Sequence, residues 1–164
     1  MSGCSGLMSG YLRNCRPDTP EYAGELKNYY SKKANYMSLD KNVIFLGQKN
    51  QDEVAKYCNK ASIFILPSID IEGFGIVLLE AMACKIPVIA TDIVGVAREV
   101  RQNNCGIIVK PKDSQALAEA IIKLLKNPKL AKKMGENGRI LVEEKYGWEK
   151  IAKKVEKIYE KVIK

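Results

Sequence analysis

The sequence predicts an α/β fold in which a parallel sheet is covered by helices on both faces and the chain closes in helices. Four short continuous apolar runs carry the first part of this: Val43-Ile44-Phe45-Leu46, Ile63-Phe64-Ile65-Leu66, Pro87-Val88-Ile89-Ala90 and Gly106-Ile107-Ile108-Val109. Unbroken apolar runs of this length are the signature of strands buried on both faces. Helical segments separate the later runs, at 75–84 and more weakly at 95–101. Parallel strands need such crossovers, so the alternation selects a parallel sheet. The C-terminal third shows helical periodicity throughout.

A chain of 164 residues, 46% of them hydrophobic, suffices for one domain with a single sizeable core and is too short for two ordinary ones. Lys and Arg number 27 against 19 Asp and Glu, a formal charge of +8. That balance favours anionic partners, although lysines dispersed along a chain equally describe a solvated surface. Nucleic acid is not expected, because the basic residues lack interleaved stacking aromatics and form no recognisable module. The five cysteines, at 4, 15, 58, 84 and 105, form no Cys-x-x-Cys pair, and there is no histidine to complete a zinc site. Catalysis by a Ser-His-Asp or Cys-His set within this chain is thereby excluded. Cys58 and Cys84 fall in apolar helical stretches, where a buried thiol is ordinary packing. With no leader-like N-terminus and no apolar run of membrane-spanning length, these features predict a cytoplasmic protein.

In chain order, residues 1–18 form an irregular segment rich in Gly, Ser, Asn, Pro and Cys, and the domain is expected over 19–164. Thr19-Pro20-Glu21 combines a capping hydroxyl, proline at the first helical position and an acid in the first turn. Tyr22, Leu26, Tyr29 and Tyr30 then recur at helical spacing and are expected in the core. After the first strand, ended by Gly47, Asn50 and Glu53 make a capping box for a helix to about Cys58. Asp113 or Ser114 caps a helix with Leu117, Ala120, Ile121, Leu124 and Leu125 on one face, ended by Asn127-Pro128. The next helix carries Leu130, Met134 and Leu141 and is weakened by Gly135 and Gly138. The last presents Trp148, Ile151, Val155, Ile158 and Val162 on one face and lysines on the remainder. Packing back on the domain is the commoner fate of such a helix, and lying on an acidic membrane is the alternative.

The stretch 67–84 is not explained by core-building. Ligands bind beyond the carboxyl ends of the strands in an open parallel sheet, and the longest connection there leads directly into an apolar helix. Gly73 and Gly75 let backbone approach a ligand closely, and the first amides of the helix are left free to meet phosphate. The spacing is not the full dinucleotide fingerprint, which needs a third glycine. Glu80 stands among Ile76, Val77, Leu78, Leu79, Ala81, Met82, Ala83 and Cys84, so its carboxylate is expected to be surrounded by packed atoms and to need partners. A vicinal diol, as on a ribose, offers two donors; a structural Lys, Arg or amide would serve equally, and the residues alone do not choose. Glu72 lies before the helix, at a pocket mouth or simply as a solvated loop acid. Together these features describe a nucleotide-sugar site: ribose at Glu80, diphosphate at the amides, sugar by Glu72.

The residues Leu66-Pro67-Ser68, Glu72-Gly73-Phe74-Gly75, Leu79-Glu80-Ala81-Met82-Ala83 and Ile86 to Thr91 closely resemble the E-x7-E region of group 1 retaining glycosyltransferases with the GT-B fold. The similarity runs in order through Val43 to Gly47, Glu99, Gly106 to Asp113, the Leu117 to Leu125 helix and Tyr146-Gly147-Trp148. The resemblance implies the Rossmann-like C-terminal, donor-binding half of a two-domain enzyme. It implies Glu72 as the catalytic residue beside the donor sugar, with Gly73, Phe74 and Gly75 contacting the sugar. It likewise implies Ile76 and Val77 amides on the diphosphate, Glu80 on the ribose and Gln48 against the base. Retention at the anomeric carbon and no metal or cofactor follow from the same likeness.

Departures from that pattern are equally specific. The chain is expected to lack the acceptor domain, and the family's opening strand, with its phosphate-binding Arg and Lys, finds no counterpart in these residues; only Leu7 to Arg13 could represent the tail of its second strand. The missing strand belongs beside 62–66, so a gap in the sheet or altered pairing is expected. Lys85 replaces the glycine usual before Pro87, and Val96 the second glycine of a pair after Val94. The chain is therefore expected to be a fragment or split subunit that binds a nucleotide-diphosphate sugar, needs an acceptor domain from elsewhere, and meets at most an acidic membrane surface besides. The alternative is a non-catalytic remnant or interaction module.

Overall fold

The computed structural model describes residues 20–47, 49–70 and 72–163, with side chains except at 20–26 and 51. The elements run α1 (Pro20–Tyr36), α2 (Gln51–Cys58), β1 (Phe64–Leu66), α3 (Ile76–Ala83), β2 (Val88–Thr91), α4 (Ala97–Gln102), β3 (Gly106–Val109), α5 (Ser114–Lys126) and α6 (Pro128–Leu141). A π-helical turn (Val142–Tyr146) and α7 (Trp148–Val162) follow.

Strands two to four of the prediction form one parallel sheet in the order β1-β2-β3. Ile65 pairs with Ile89, and Ile89 with Ile107. Because side chains alternate across a strand, β2 feeds two cores. Val88 and Ala90 pack with Leu78 and Met82 of α3, Val100 of α4, and Leu141 and Val142. Ile89 faces the other way, against Ala120 and Leu124 of α5, with Ile65 and Ile107 beside it. Every residue of β2 is buried, as expected of a strand covered on both faces.

The capping box on α2 is formed: Asn50 Oδ1 accepts from the Glu53 amide at 2.9 Å, and the Asn50 amide donates to Glu53 at 3.1 Å. Asp113, not Ser114, caps α5 through the Ala116 amide at 2.8 Å. Gly135 and Gly138 do not weaken α6 so much as let it approach. A Cβ at Gly135 would stand 2.0 Å from the Lys85 carbonyl oxygen, and one at Gly138 would stand 2.9 Å from Met82 Cγ.

Four expectations are corrected. Val43–Leu46 is not a strand: it is irregular, with Ile44 78% exposed. A strand persists only where a neighbour takes up its backbone hydrogen bonds, and among the described residues nothing pairs with this run or with the outer edge of β1. Tyr29 and Tyr30 are not core; both are exposed and meet each other edge-on, while the side chains of Tyr22 and Leu26 lie outside the described residues. In α7 no residue is buried, and Val155, Ile158 and Val162 are exposed. Among the described residues, no element covers the apolar face beyond Ile151. Cys84 caps the C-terminus of α3 instead of lying within it. The expectations for residues 1–18, including Leu7 to Arg13, fall outside the described residues. Among those described, no helix is long and apolar enough to cross a membrane.

Candidate functional site

The connection from β1 to α3 is fastened to the one from β2 to α4. Thr91 Oγ1 donates to the Ser68 carbonyl at 2.8 Å. Glu72 and Val94 form an isolated parallel bridge. The Gly95 and Val96 amides donate to the Gly73 and Phe74 carbonyls, each at 3.1 Å. The effect is to hold Glu72, Gly73, Phe74 and Gly75 as a fixed strap across the carboxyl ends of the strands. Val96 sits at φ −87, a value open to any residue, so its replacement of glycine leaves this loop undisturbed. Lys85, by contrast, sits at φ +61, a conformation that favours glycine.

Gly75 ends the strap at φ +79 and serves as N-cap of α3 without a side-chain hydrogen bond. A Cβ there would stand 2.4 Å from Val94 Cγ1, so both the conformation and the space require glycine. With no cap, the amides of Ile76 and Val77, the first donors of the helix, have no hydrogen-bond partner among the described residues. They carry its positive dipole end.

Glu72 is half-buried rather than a solvated loop acid, and its carboxylate accepts from Ser68 Oγ at 3.4 Å. Glu80 is 7% exposed. Among the described residues no hydrogen bond or ion pair reaches its carboxylate, and burial raises its pKa. The structural pairing that the sequence left open is therefore absent among those residues. Glu80 instead lines a cavity of about 340 Å³ together with Phe74, Ile76, Leu79, Tyr146 and Trp148.

Of the predicted site residues, Glu72, Gly73, Phe74, Gly75, Ile76, Val77 and Glu80 fall in one strap-and-helix unit, and Gln48 lies outside the described residues. Sequence reasoning missed how the strap is buttressed from behind. The Phe74 ring stands edge-on to Tyr146, centroids 5.6 Å apart and planes at 68°. Lys145 Nζ pairs with Glu99 at 2.9 Å and lies 5.4 Å over the Tyr146 ring. The Lys145 ammonium holds Glu99 below the usual carboxylate range, and Glu99 in turn raises Lys145. Tyr146 and Glu99 figured only in the resemblance, without a role. The one further signal was Glu-Glu-Lys-Tyr-Gly at the end of an amphipathic helix, which does not reveal a π-helical turn.

A family model described as glycosyl transferases group 1 matches residues 22–141. An uncharacterized glycosyltransferase of Methanocaldococcus jannaschii is 40% identical over 117 residues, 71% of this chain and 33% of its own length. The N-acetyl-alpha-D-glucosaminyl L-malate synthase of Bacillus anthracis is 36% identical over 128 residues, 78% of this chain and 33% of that protein. The solved structure of sucrose-phosphate synthase from Thermosynechococcus elongatus superimposes with a TM-score of 0.77 at 34% identity, covering 85% of this chain and 35% of that one. The chain thus spans about a third of the length of the relatives it matches. Its sheet and helices are those of the Rossmann-like C-terminal domain of GT-B glycosyltransferases. The chain belongs to the group 1 glycosyltransferases.

Proposed function

We propose that this chain is the nucleotide-sugar-binding domain of a retaining glycosyltransferase, which works with an acceptor-binding domain. One observation carries the reading: Glu80 is 7% exposed, no hydrogen bond or ion pair from a described residue reaches its carboxylate, and it lines a cavity beside the start of α3. A carboxylate whose pKa is raised by burial and which opens onto a cavity is characteristic of ligand sites. A ribose diol supplies the two missing donors. The diphosphate then lies at the Ile76 and Val77 amides, where its charge meets the helix dipole.

In this arrangement Glu72 stands on the strap nearest the group attached to the diphosphate. Its tether to Ser68 and Val94 holds it in place, which supports the reading that it orients the sugar during transfer. The strap, being anchored at both edges, presents the Gly73 to Gly75 backbone without reorganisation, which is the condition for electrostatic stabilisation of a departing diphosphate.

Calorimetric titration with uridine, guanosine and adenosine diphosphates tests the reading. At least one should bind, and Glu80→Gln should weaken that binding about tenfold or more, the range for hydrogen bonds to a charged group, while melting no lower than the parent. No binding of any of the three by a folded sample would overturn it and leave a non-catalytic module.

The exposed face of α7 also supports peripheral contact with an acidic membrane, since Lys150, Lys153, Lys154, Lys157 and Lys161 flank Ile158 and Val162. Sedimentation with anionic phospholipid vesicles should carry the protein down at low salt and release it at high salt. Absence from the vesicle pellet at low salt would remove the membrane reading.

A further inference from the structure

The cavity that Glu80 lines is shared between elements far apart in the chain. Ile76 and Glu80 come from α3, whereas Lys145 comes from the π-helical turn and Trp148, Ile151 and Lys154 come from α7. The three α7 residues recur at every third position, so they run along one side of that helix. Two ammonium groups thus border the space into which a 93% buried carboxylate opens, and neither is paired with that carboxylate. The two lysines are not equivalent. Lys145 Nζ is held by Glu99 at 2.9 Å, so its charge is already answered. Lys154 is exposed and forms no ion pair among the described residues.

We propose that Lys154 is a phosphate-binding residue of the site, the cation that meets the diphosphate of the ligand whose ribose Glu80 takes. The inference rests on the nucleotide reading of Glu80. The start of α3 offers the equivalent of roughly half a positive charge, and a diphosphate exceeds that several-fold, so amides and dipole alone leave most of its charge unanswered. Ile76 lines the cavity at that helix start, which puts the amide end of α3 and the Lys154 side of α7 on one space. A mobile, solvated lysine forms a charge-assisted hydrogen bond to phosphate at little desolvation cost, acting as a point charge. Lys154 also lies beyond residues 22–141, the span that the family model matches. The ligand then bridges α3 and α7, and α7, none of whose residues is buried, becomes part of the binding site.

The test titrates the full chain with uridine, guanosine and adenosine diphosphates and with the three nucleosides, by calorimetry and by the emission of Trp148, which is the single tryptophan and lines the same cavity. In the parent, a diphosphate should bind and move Trp148 emission. Lys154→Gln should lower the ratio of diphosphate to nucleoside affinity about tenfold, the loss of one hydrogen bond between charged groups, and should flatten the fall of diphosphate affinity with salt. Lys154→Arg should restore most of the affinity, because the charge is kept. Diphosphate affinity equal in parent and Lys154→Gln, nucleoside affinity lost in equal measure, or Trp148 emission unmoved while calorimetry shows binding would each overturn the assignment of Lys154 and leave the reading of Glu80 standing. No diphosphate binding by the parent would remove that reading, and this inference with it.

Discussion

The Phe74 ring rests edge-on against Tyr146, 5.6 Å between centroids, and so joins the strap that carries Glu72 to the turn that ends α6. Aromatic pairs in this geometry contribute about 0.5–1.5 kcal/mol beyond their buried area. The contact is therefore strong enough to bias the strap without being needed for the fold. Its rear support is the Lys145–Glu99 pair.

Tyr146→Ala should weaken nucleoside diphosphate binding by about two- to tenfold, the loss corresponding to one such ring pair. Tyr146→Phe keeps the ring and should bind like the parent. Calorimetry on both variants checks this; equal weakening by Phe and Ala would show that the hydroxyl, not the ring, matters.

Glu80 gives a pH signature. Its folded-state pKa is raised above the ordinary 4.5 by burial, so the folded form holds the proton more tightly than the unfolded one. Its ionisation therefore erodes stability as pH rises from the unfolded value through the folded one. Glu80→Gln should melt higher than the parent at pH 7, and the difference should shrink to nothing below about pH 4.5. Paired thermal melts from pH 4 to 8 measure it.

Gly75→Ala should destabilise the domain by about 1–3 kcal/mol, because alanine is strained at this φ and its Cβ meets Val94. Denaturant unfolding reads the loss. Nucleoside diphosphate affinity should fall as well, since Gly75 sets the start of α3.

Lys85→Gly should do the opposite. Lys85 holds a left-handed backbone at φ +61, and glycine there relieves about 0.5–1 kcal/mol of strain net of its own entropy cost. The midpoint of urea unfolding should rise with an unchanged slope.

Local signals carried much of this structure. The Asn50–Glu53 capping box, a cap at Asp113 or Ser114, the end of α5 at Asn127-Pro128 and the three paired strands were all legible, because each depends on neighbours within a few residues or on hydrophobicity of a short run. Val43–Leu46 shows the limit of that logic: its pattern is as strand-like as that of Phe64–Leu66, yet only the latter has a pairing partner among the described residues. The exposed apolar face of α7 shows it again, since periodicity says that a face is apolar and not what covers it.

At the site, the sequence by itself determined which residues stand together, the strap from Glu72 to Gly75 and the helix that follows, because they are consecutive and their spacing fixes a turn and a helix start. It could not choose between a structural and a ligand-binding role for Glu80. Only the tertiary structure decided that no hydrogen bond or ion pair from a described residue reaches this carboxylate, and that Tyr146 and Glu99 brace the strap from far along the chain. Those are matters of long-range packing. The residues involved are brought together by the packing of α3, α4 and α6 around one sheet, and no local periodicity encodes that distance.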